Sequence, residues 1–215
     1  MHHETNSTFR KLDTQKQERI FNTSLDEFAK CGFSGASMNT IVKRVGIAKG
    51  SLFKYFGNKE GLFAYIFESC IELFKGPLKE IRQSTAGDDF FLRMEKTLHA
   101  GVEFIEAHPK AYAIYLKMLY QADMPFRERF LQEVHYHSSR YLRPIIQEGI
   151  DAGELQKDMD LDMAVFFIHG IIDRFFQSLT VPAIDGSAGL YKADASTRQE
   201  RITQIITFLK NGLGN

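Results

Sequence analysis

The sequence predicts an all-α protein of about nine helices, and two observations carry that prediction. Apolar residues recur at helical spacing through almost the whole chain, and strand-like alternation never persists. The 215 residues are 44% hydrophobic and 25% charged, which is typical of an ordinary globular protein with a sizeable core. We expect a tri-helical N-terminal domain over residues 9–60 and a larger helical domain over residues 61–215.

The N-terminal domain is predicted from its apolar faces and its helix ends. A first helix runs from about Thr14 to Cys31, and Gly32 stands where a C-terminal cap is favoured. Ser37 can cap a short second helix. Gly46 then turns the chain into a third short helix from about Lys49 to Tyr55.

The C-terminal domain is predicted to hold the remaining helices. The first of them is long, can be capped by Asn58, and should kink where it meets Gly76 and Pro77. The next helix is predicted to end near His108, and another begins at Pro109. A further helix runs from Pro125 to about Asp151, and one capped by Asp160 spans Leu161 to Leu179. After a loop from about Thr180 to Ala193, the last helix is predicted to begin with a capping box formed by Ser196 and Gln199.

Charge divides the chain although the whole is neutral. Lys plus Arg and Asp plus Glu each total 27. Residues 1–60 hold 10 basic and 6 acidic side chains, which leaves 17 basic and 21 acidic side chains over residues 61–215. The split of +4 and −4 indicates a basic N-terminal module on a mildly acidic body.

Cysteine usage and the apolar runs bear on the compartment. Cys31 and Cys70 both lie in helical stretches without zinc-ligand spacing, so reduced structural thiols are expected. Residues Met1 to Thr8 lack the apolar core of a signal peptide, and no apolar run approaches the roughly 18 residues of a membrane span. We therefore expect a cytoplasmic protein with no membrane partner, no metal and no cofactor.

The segment from Gly35 to Leu62 carries the most information about function. Two short helices that are joined by a glycine turn and braced by a preceding helix make the geometry that lays the last helix in a DNA major groove. Basic side chains cluster around that helix, and lysine supplies phosphate contacts. They are Lys43, Arg44, Lys49, Lys54 and Lys59. On charge alone, a solvated basic face on a helical protein explains the cluster equally well.

The order of residues in this segment favours the DNA-binding interpretation. From Ser37 to Phe63 the chain reads SMNTIVKRVGIAKGSLFKYFGNKEGLF, which closely resembles the N-terminal DNA-binding signature of the TetR family of bacterial transcriptional regulators. The resemblance runs from about Gln17 to Phe67. It includes the Gly46 turn, the Lys49-Gly50 pair, the aromatic Phe53, the Tyr55-Phe56 pair and the Asn58-Lys59-Glu60 helix start. Beyond it only the architecture matches, because the C-terminal domains of this family diverge widely.

The resemblance implies which residues contact DNA. The expected contacts are Thr40, Lys49, Gly50, Ser51, Phe53, Lys54, Tyr55 and Lys59, with Tyr55 and Lys59 on phosphates. At Gly50 the missing side chain lets the helix backbone approach the DNA. Two positions depart from the family pattern. Ala48 stands where serine is usual, which removes a cap worth about 1 kcal/mol, and Phe53 stands where tyrosine is common, which removes a phosphate hydrogen bond.

The predicted helix from Leu161 to Leu179 is apolar around most of its circumference, so it must be covered on two sides. We expect one side to pack on its own domain and the other, with the last helix, to form an isologous four-helix interface with a second copy. The interface residues are expected to be Phe167, Ile171, Ile172, Phe175, Ile202, Ile205, Ile206 and Leu209. Complete burial within one monomer is the alternative. A dimer would place two recognition helices about 34 Å apart, one turn of palindromic DNA.

The helices between these two ends are expected to enclose an effector, because aromatic side chains with a few polar anchors are the usual lining of a small-molecule site. The candidates are Phe104, His108, Tyr112, Tyr115, Met118, Phe166 and His169. An aromatic stripe at helical spacing is more often plain core, and His108 before Pro109 can be only a helix cap. His135 and His137 lie two apart and point to different helix faces, which speaks against a shared metal ion.

Together these features predict a homodimeric, ligand-responsive transcriptional regulator, a repressor that binds a palindromic operator and is released by a small, largely apolar molecule. Its partners would be double-stranded DNA, an unidentified effector and a second copy. The effector would swing the helix that begins near Asn58 as a lever. A DNA-binding protein of the same fold that is controlled by a protein partner, or that acts without an effector, is the alternative. An enzyme is disfavoured, because the sequence lacks a Glu-x-x-His metal pair, a Ser-His-Asp set and a phosphate-binding glycine loop.

Overall fold

The computed structural model describes residues 7–214, and over that range the chain forms helices and one isolated bridge, between Leu155 and Gly214, with no strand. The all-α prediction is confirmed. Eleven helices occur in these residues, two of them four residues long. They are α1 (Ser7–Arg10), α2 (Thr14–Gly35), α3 (Met38–Val45), α4 (Lys49–Phe56), α5 (Lys59–Ser84), α6 (Phe90–Ala107), α7 (Pro109–Tyr120), α8 (Arg127–Asp151), α9 (Leu161–Thr180), α10 (Pro182–Asp185) and α11 (Ala195–Leu213). None of these helices is long and apolar enough to cross a membrane.

The described residues divide into two compact units. The first unit holds residues 7–74 and 108–134, and the second unit holds residues 75–107 and 135–214. The helices α5 and α8 therefore contribute residues to both units. This division follows compactness and differs from the predicted functional boundary after residue 60, which stays a prediction.

The first unit has a core rich in aromatic rings. Its fully buried large side chains are Ile20, Phe28, Ile41, Leu52, Leu62, Phe63, Ile66, Phe67 and Ile114. Helix α2 packs on both α3 and α7, so it is the scaffold for both helices. Helix α1, which the periodicity does not predict, is held by Phe9, whose ring centroid lies 4.9 Å from that of Phe56 on α4.

Helix α5 includes the glycine and proline at which the sequence predicts a kink. It continues through Gly76 and Pro77 as far as Ser84. Proline removes one backbone donor, but the apolar periodicity carries on past it. Leu78 and Ile81 pack against the core of the second unit, which gives the helix a reason to continue.

The second unit is built by α6, α9 and α11 with the C-terminal part of α8. Helix α6 packs on both α9 and α11. The close approach of α6 and α9 needs a glycine, because a Cβ on Gly101 would lie 1.9 Å from Cζ of Phe176. A buried Arg93 on α6 forms an ion pair with Glu148 on α8, with 2.5 Å between Nη1 and Oε2. The buried apolar side chains include Phe90, Met94, Leu98, Leu142, Ile145, Ile146, Ile168 and Ile202.

The helix starts in the second unit follow the sequence with one correction. Asp160 caps α9 as predicted, since its Oδ1 accepts a backbone amide of the first turn at 2.9 Å. Helix α11 is capped by Asp194, whose Oδ1 accepts from the amide of Thr197 at 2.7 Å. The predicted capping box at Ser196 and Gln199 is therefore wrong, because the aspartate already satisfies the free amide and Ser196 lies inside the first turn.

Candidate nucleic-acid interface

The helix ends that shape the N-terminal helices are set by local chemistry. Gly32 has a φ of 68° and interrupts the helical geometry of α2 before its last residues. The side chain of Ser37 accepts an amide of α3 at 3.3 Å, and Gly46, with φ 75°, ends that helix in the left-handed conformation. Ala48 makes no side-chain cap at the start of α4, as predicted. Asn58 caps the start of α5, where its Oδ1 accepts an amide at 2.8 Å.

Helix α4 is anchored on one face and open on the other. Leu52, Tyr55 and Phe56 are buried in the core of the first unit. Because α4 also packs on α3, the pair forms a rigid helix-turn-helix. The opposite face of α4, which includes Lys49 and Lys54, is exposed. This is the arrangement in which a recognition helix can enter a DNA groove.

The eight predicted DNA residues lie on α3, on α4 and at the start of α5. Thr40, Lys49, Gly50, Phe53 and Lys54 are exposed, Ser51 and Lys59 are half-buried, and Tyr55 is buried. A Cβ added to Gly50 would meet nothing within 4 Å. Packing inside the protein therefore does not require a glycine at this position, and the missing side chain leaves the backbone of α4 open to a close approach.

The ring of Tyr55 packs inside the first unit and is only 8% exposed. Its centroid lies 5.9 Å from that of Phe9, and the Phe9 ring also lies 5.1 Å from Tyr65 on α5. The tyrosine ring thus fixes α4 against α1 and leaves little surface for the predicted phosphate contact.

Lys59 links the start of α5 to the last turn of α2. Its Nζ donates to the carbonyl oxygen of Ser34 at 3.1 Å and lies 4.8 Å from the centroid of the Phe33 ring. An ammonium group has three donors, so the hydrogen bond to Ser34 leaves capacity for a phosphate.

Ion pairs at the C-terminal end of α3 and a hydrogen bond at its N-terminal end hold this helix on α2. Arg44 Nη2 lies 2.6 Å from Asp26 Oδ2, and Arg44 Nη1 lies 3.8 Å from Glu27 Oε2. The buried Glu27 also accepts the amide of Ser37 at 3.0 Å. On α7, Lys110 Nζ lies 2.8 Å from Asp26 Oδ1. Hydrogen bonds from Lys110 and then from Arg44 hold the pKa of Asp26 below its ordinary value of 3.8, so the carboxylate is charged at neutral pH.

Two family models match the chain. The bacterial regulatory proteins of the tetR family match over residues 20–66, and the tetracyclin repressor-like C-terminal domain matches over residues 88–214, more than half of the chain. The chain belongs to the TetR family. The resemblance found in the sequence is confirmed, and the matched proteins are transcriptional regulators, not enzymes.

Known relatives and solved structures agree with the TetR assignment. The fatty acid metabolism regulator protein of Bacillus subtilis is 28% identical over 170 residues, which cover 76% of this chain and 83% of that protein. The probable acrEF/envCD operon repressor of Escherichia coli is 26% identical over 170 residues, which cover 75% of this chain and 74% of that protein. A solved structure of a TetR family transcriptional regulator from Chloroflexus aurantiacus has a TM-score of 0.73 at 28% identity and covers 98% of both chains.

Four of the effector residues predicted for this TetR-family chain lie at α7, in the first unit. His108 occupies the N-cap position of α7 without a side-chain cap hydrogen bond. Tyr112 is 7% exposed, and its ring centroid lies 5.6 Å from that of Tyr115. Met118 is fully buried in the core of the first unit, and Tyr115 packs against that core. In this structure Met118 serves the core, which is the alternative that the helical stripe left open.

The other three predicted effector residues lie in the second unit. Phe104 is half-buried on α6. The ring centroid of His169 on α9 lies 5.6 Å from that of His135 on α8. Burial lowers the pKa of His169 below 6.5, His135 adds to the decrease and Asp173 opposes it, so the imidazole is neutral at neutral pH. Phe166 is 70% exposed, which places it on the surface of α9 and not in an enclosed site.

The eight residues predicted for a dimer interface of the TetR type divide by exposure. Phe167 is 50% exposed, and four isoleucines, Ile171, Ile172, Ile205 and Ile206, are half-buried. Phe175, Ile202 and Leu209 are buried within the protomer, as the alternative of complete burial expects. The same two helices, α9 and α11, expose Met163 and Phe208 at 61% and 75%.

Several residues of functional interest were not predicted from the sequence. The ion pair between Asp26 and Lys110 joins positions far apart in the chain, and no local sequence pattern predicts it. Phe9 is a lone aromatic in a polar segment, which by itself predicts nothing. Phe208 did carry a signal, since a phenylalanine beside the apolar row of α11 lies on an otherwise polar helix face.

Proposed function

We propose that this TetR-family chain is a homodimeric repressor that binds a palindromic operator and is released from it by a small, largely apolar molecule. The observation that carries the DNA-binding part is the open face of α4, where Lys49, Gly50 and Lys54 are exposed on a helix whose other face is anchored in the core. In the proposed complex the lysines attract phosphates, and Ser51 and Lys54 hydrogen-bond to base edges in the major groove.

The dimer part of the proposal rests on apolar surface that a monomer leaves in water. Met163, Phe166 and Phe167 expose half or more of their surface on successive turns of α9, and Phe208 exposes 75% of its surface on α11. A contiguous apolar patch marks an interaction site, and the three α9 residues are spaced i, i+3 and i+4, which places them on one helix face. A second copy that covers them in an isologous interface would present two recognition helices, about 34 Å apart, to the two half-sites of a palindrome.

The effector part rests on the composition of the proposed site and on one relative. His108, Tyr112 and Tyr115, which lie at α7 in the first unit, combine apolar rings with polar anchors, as small-molecule sites do. The 28% identical relative from Bacillus subtilis is named for fatty acid metabolism, which supports an effector with a long apolar part. In the proposed mechanism the effector moves α5, whose first turns belong to the same compact unit as α4.

Operator selection from a random duplex library, followed by titration, tests the DNA-binding part. Selected duplexes should share a palindrome. Ser51→Ala and Lys54→Ala should each reduce the preference for operator over random duplex by about 1 to 3 kcal/mol. Lys59→Ala should weaken both equally and lower the salt slope by about one. Lys157→Ala, which removes an exposed lysine of the second unit, is the matched control. Undiminished preference in the first two variants would contradict the base-reading assignment.

Operator affinity with and without a bound ligand tests the effector part. Oleate and oleoyl-CoA are suitable probes, because both combine a long apolar chain with an acidic group, and calorimetry shows which of them binds. A bound effector should weaken operator binding by about 5- to 150-fold, the usual range of allosteric coupling. Tyr112→Ala and Tyr115→Ala should lose this response and keep operator binding. Equal operator affinity with a ligand that demonstrably binds would exclude release and favour control by a protein partner.

A further inference from the structure

We propose that α7 controls the DNA-binding helices directly, through a carboxylate that Lys110 and Arg44 share. The inference rests on the proposed function and adds a second route from effector to DNA beside the movement of α5. All three residues belong to the first compact unit, with Asp26 on α2, Arg44 in the last turn of α3 and Lys110 in the first turn of α7.

Asp26 gives one oxygen to each of the two cations. Lys110 Nζ lies 2.8 Å from Oδ1, and Arg44 Nη2 lies 2.6 Å from Oδ2. The Asp26 side chain is 28% exposed, while Lys110 and Arg44 are about half exposed. Charge-assisted hydrogen bonds of this length are the strong ones, so the charge of one carboxylate is divided between α3 and α7.

Arg44 is the point at which DNA competes with Asp26. Its guanidinium is 46% exposed in the last turn of α3, the helix that precedes α4, and in the proposed complex a phosphate binds it when α4 occupies the groove. If a phosphate draws Arg44 away, Asp26 keeps Lys110 as a counterion. Without Lys110 the departure of Arg44 would remove a cation from two neighbouring carboxylates, Asp26 and the buried Glu27, and leave no replacement at Asp26. Lys110 therefore lowers the free energy needed for Arg44 to exchange Asp26 for a DNA phosphate.

Helix α7 also carries residues of the proposed effector site. His108 immediately precedes it, and Tyr112 and Tyr115 lie on its first two turns. A displacement of α7 by about 2 Å would take Lys110 beyond the distance at which an ion pair with Asp26 persists. Arg44 would then stay with Asp26, and DNA affinity would fall. An effector that displaces α7 can thus release the operator without touching α3 or α4.

Replacing Lys110 tests the inference without any effector. The full-length protein is titrated by fluorescence anisotropy into the selected operator and into a random duplex of equal length. Lys110→Met, which keeps the length of the side chain and removes its charge, should weaken binding to both duplexes by roughly two- to tenfold. Lys117→Met removes the same charge from the last turn of the same helix and should leave affinity nearly unchanged. Lys110→Arg, which can still pair with Asp26, should bind like the wild type.

A double-mutant cycle with Asp26→Asn isolates the shared carboxylate. Asp26→Asn removes the nearer of the two carboxylates that pair with Arg44 and should strengthen binding to the random duplex. In the Asp26→Asn background, Lys110→Met should cause no further loss of DNA affinity, because the carboxylate charge that pairs with Lys110 is absent. Circular dichroism melting checks that each variant folds, and Lys110→Gln replaces the methionine variant if that one does not.

The outcomes separate the inference from the proposed function. Equal losses for Lys110→Met and Lys117→Met would overturn the inference, because a general loss of positive charge would then explain both. If Lys110→Met weakened DNA binding as much in the Asp26→Asn background as in the wild type, that result would also overturn the inference. A wild-type protein that binds no duplex would contradict the proposed function instead.

Discussion

Phe208 is the residue at which the proposed dimer can be broken with least damage to the protomer. Its ring is 75% exposed on α11, so Phe208→Ser changes surface and not core. Ile172 and Ile206, which the sequence pattern would select for replacement by aspartate, are half-buried and pack against the cores of the second unit. A charge at either isoleucine would unfold the protomer and the dimer together.

The size of the effect follows from the exposed area. A phenylalanine of about 200 Å² that is 75% exposed offers about 150 Å² for a partner to cover. At about 25 cal/mol per Å² each ring contributes up to about 4 kcal/mol, and an isologous interface contains the ring twice. Phe208→Ser should therefore raise the dimer dissociation constant by as much as about five powers of ten.

Sedimentation velocity at micromolar concentration measures this effect. The wild type should sediment as a dimer, and Phe208→Ser should sediment as a monomer with an unchanged circular dichroism spectrum. Tyr120→Ser removes another exposed ring, 60% exposed at the end of α7, and should remain dimeric. A monomeric wild type would refute the dimer, and a Phe208→Ser protein with the dissociation constant of the wild type would locate the interface elsewhere.

Three further predictions concern the protomer. Gly101→Ala should destabilise the protomer by about 1 to 3 kcal/mol, because the new Cβ would overlap the Phe176 ring, 1.9 Å away. Gly76→Ala, whose new Cβ would meet nothing within 4 Å, should stabilise the protomer by about 1 kcal/mol, and urea unfolding measures both changes. Ser37→Ala should remove about 1 kcal/mol by uncapping α3, and Ala48→Ser should add a similar amount at α4, both measured by thermal unfolding. Because burial lowers the pKa of His169 in the folded protein, the unfolded chain takes up a proton at this imidazole at a higher pH than the folded protein does. The free energy of unfolding should therefore decrease as the pH falls below 6.5, and a His169→Gln variant with the same pH profile would contradict this assignment.

The sequence predicted most of the helix ends, because these depend on neighbouring residues. Ser37, Gly46, Asn58 and Asp160 act at the helix ends where they were predicted, because capping involves a side chain and amides within one turn. The segment that matches the TetR signature folds as the helix pair that the resemblance implied. The one wrong cap, at α11, reflects two adjacent candidates, of which Asp194 made the hydrogen bond.

The burial of individual residues on α9 could not be predicted from the sequence. In a helix that is apolar around its circumference, the pattern does not identify which face packs inside the protomer. Phe175 is buried within the protomer while Phe166, on the same helix, is 70% exposed. The same limit applies to α7, where Met118 belongs to the core although it shares a stripe with Tyr115. Periodicity identifies an apolar face, and only the packing of the whole chain decides what that face meets.

Ion pairs between distant segments have no signature in the sequence. The bonds from Lys110 and Arg44 to Asp26 join three helices and depend on how α3 and α7 both dock on α2. The buried Cys70 illustrates the opposite case, since burial raises the pKa of its thiol to about 12 and makes it the inert structural cysteine that composition predicted.

Hydroxyl-radical footprinting of the selected operator tests most directly the central claim that a dimer presents two copies of α4 to palindromic DNA. The wild type should protect two symmetry-related patches, about 34 Å apart on one side of the duplex. Phe208→Ser should lose both patches at the same protein concentration. A single protected half-site for the wild type, or two patches that persist unchanged in Phe208→Ser, would contradict the claim.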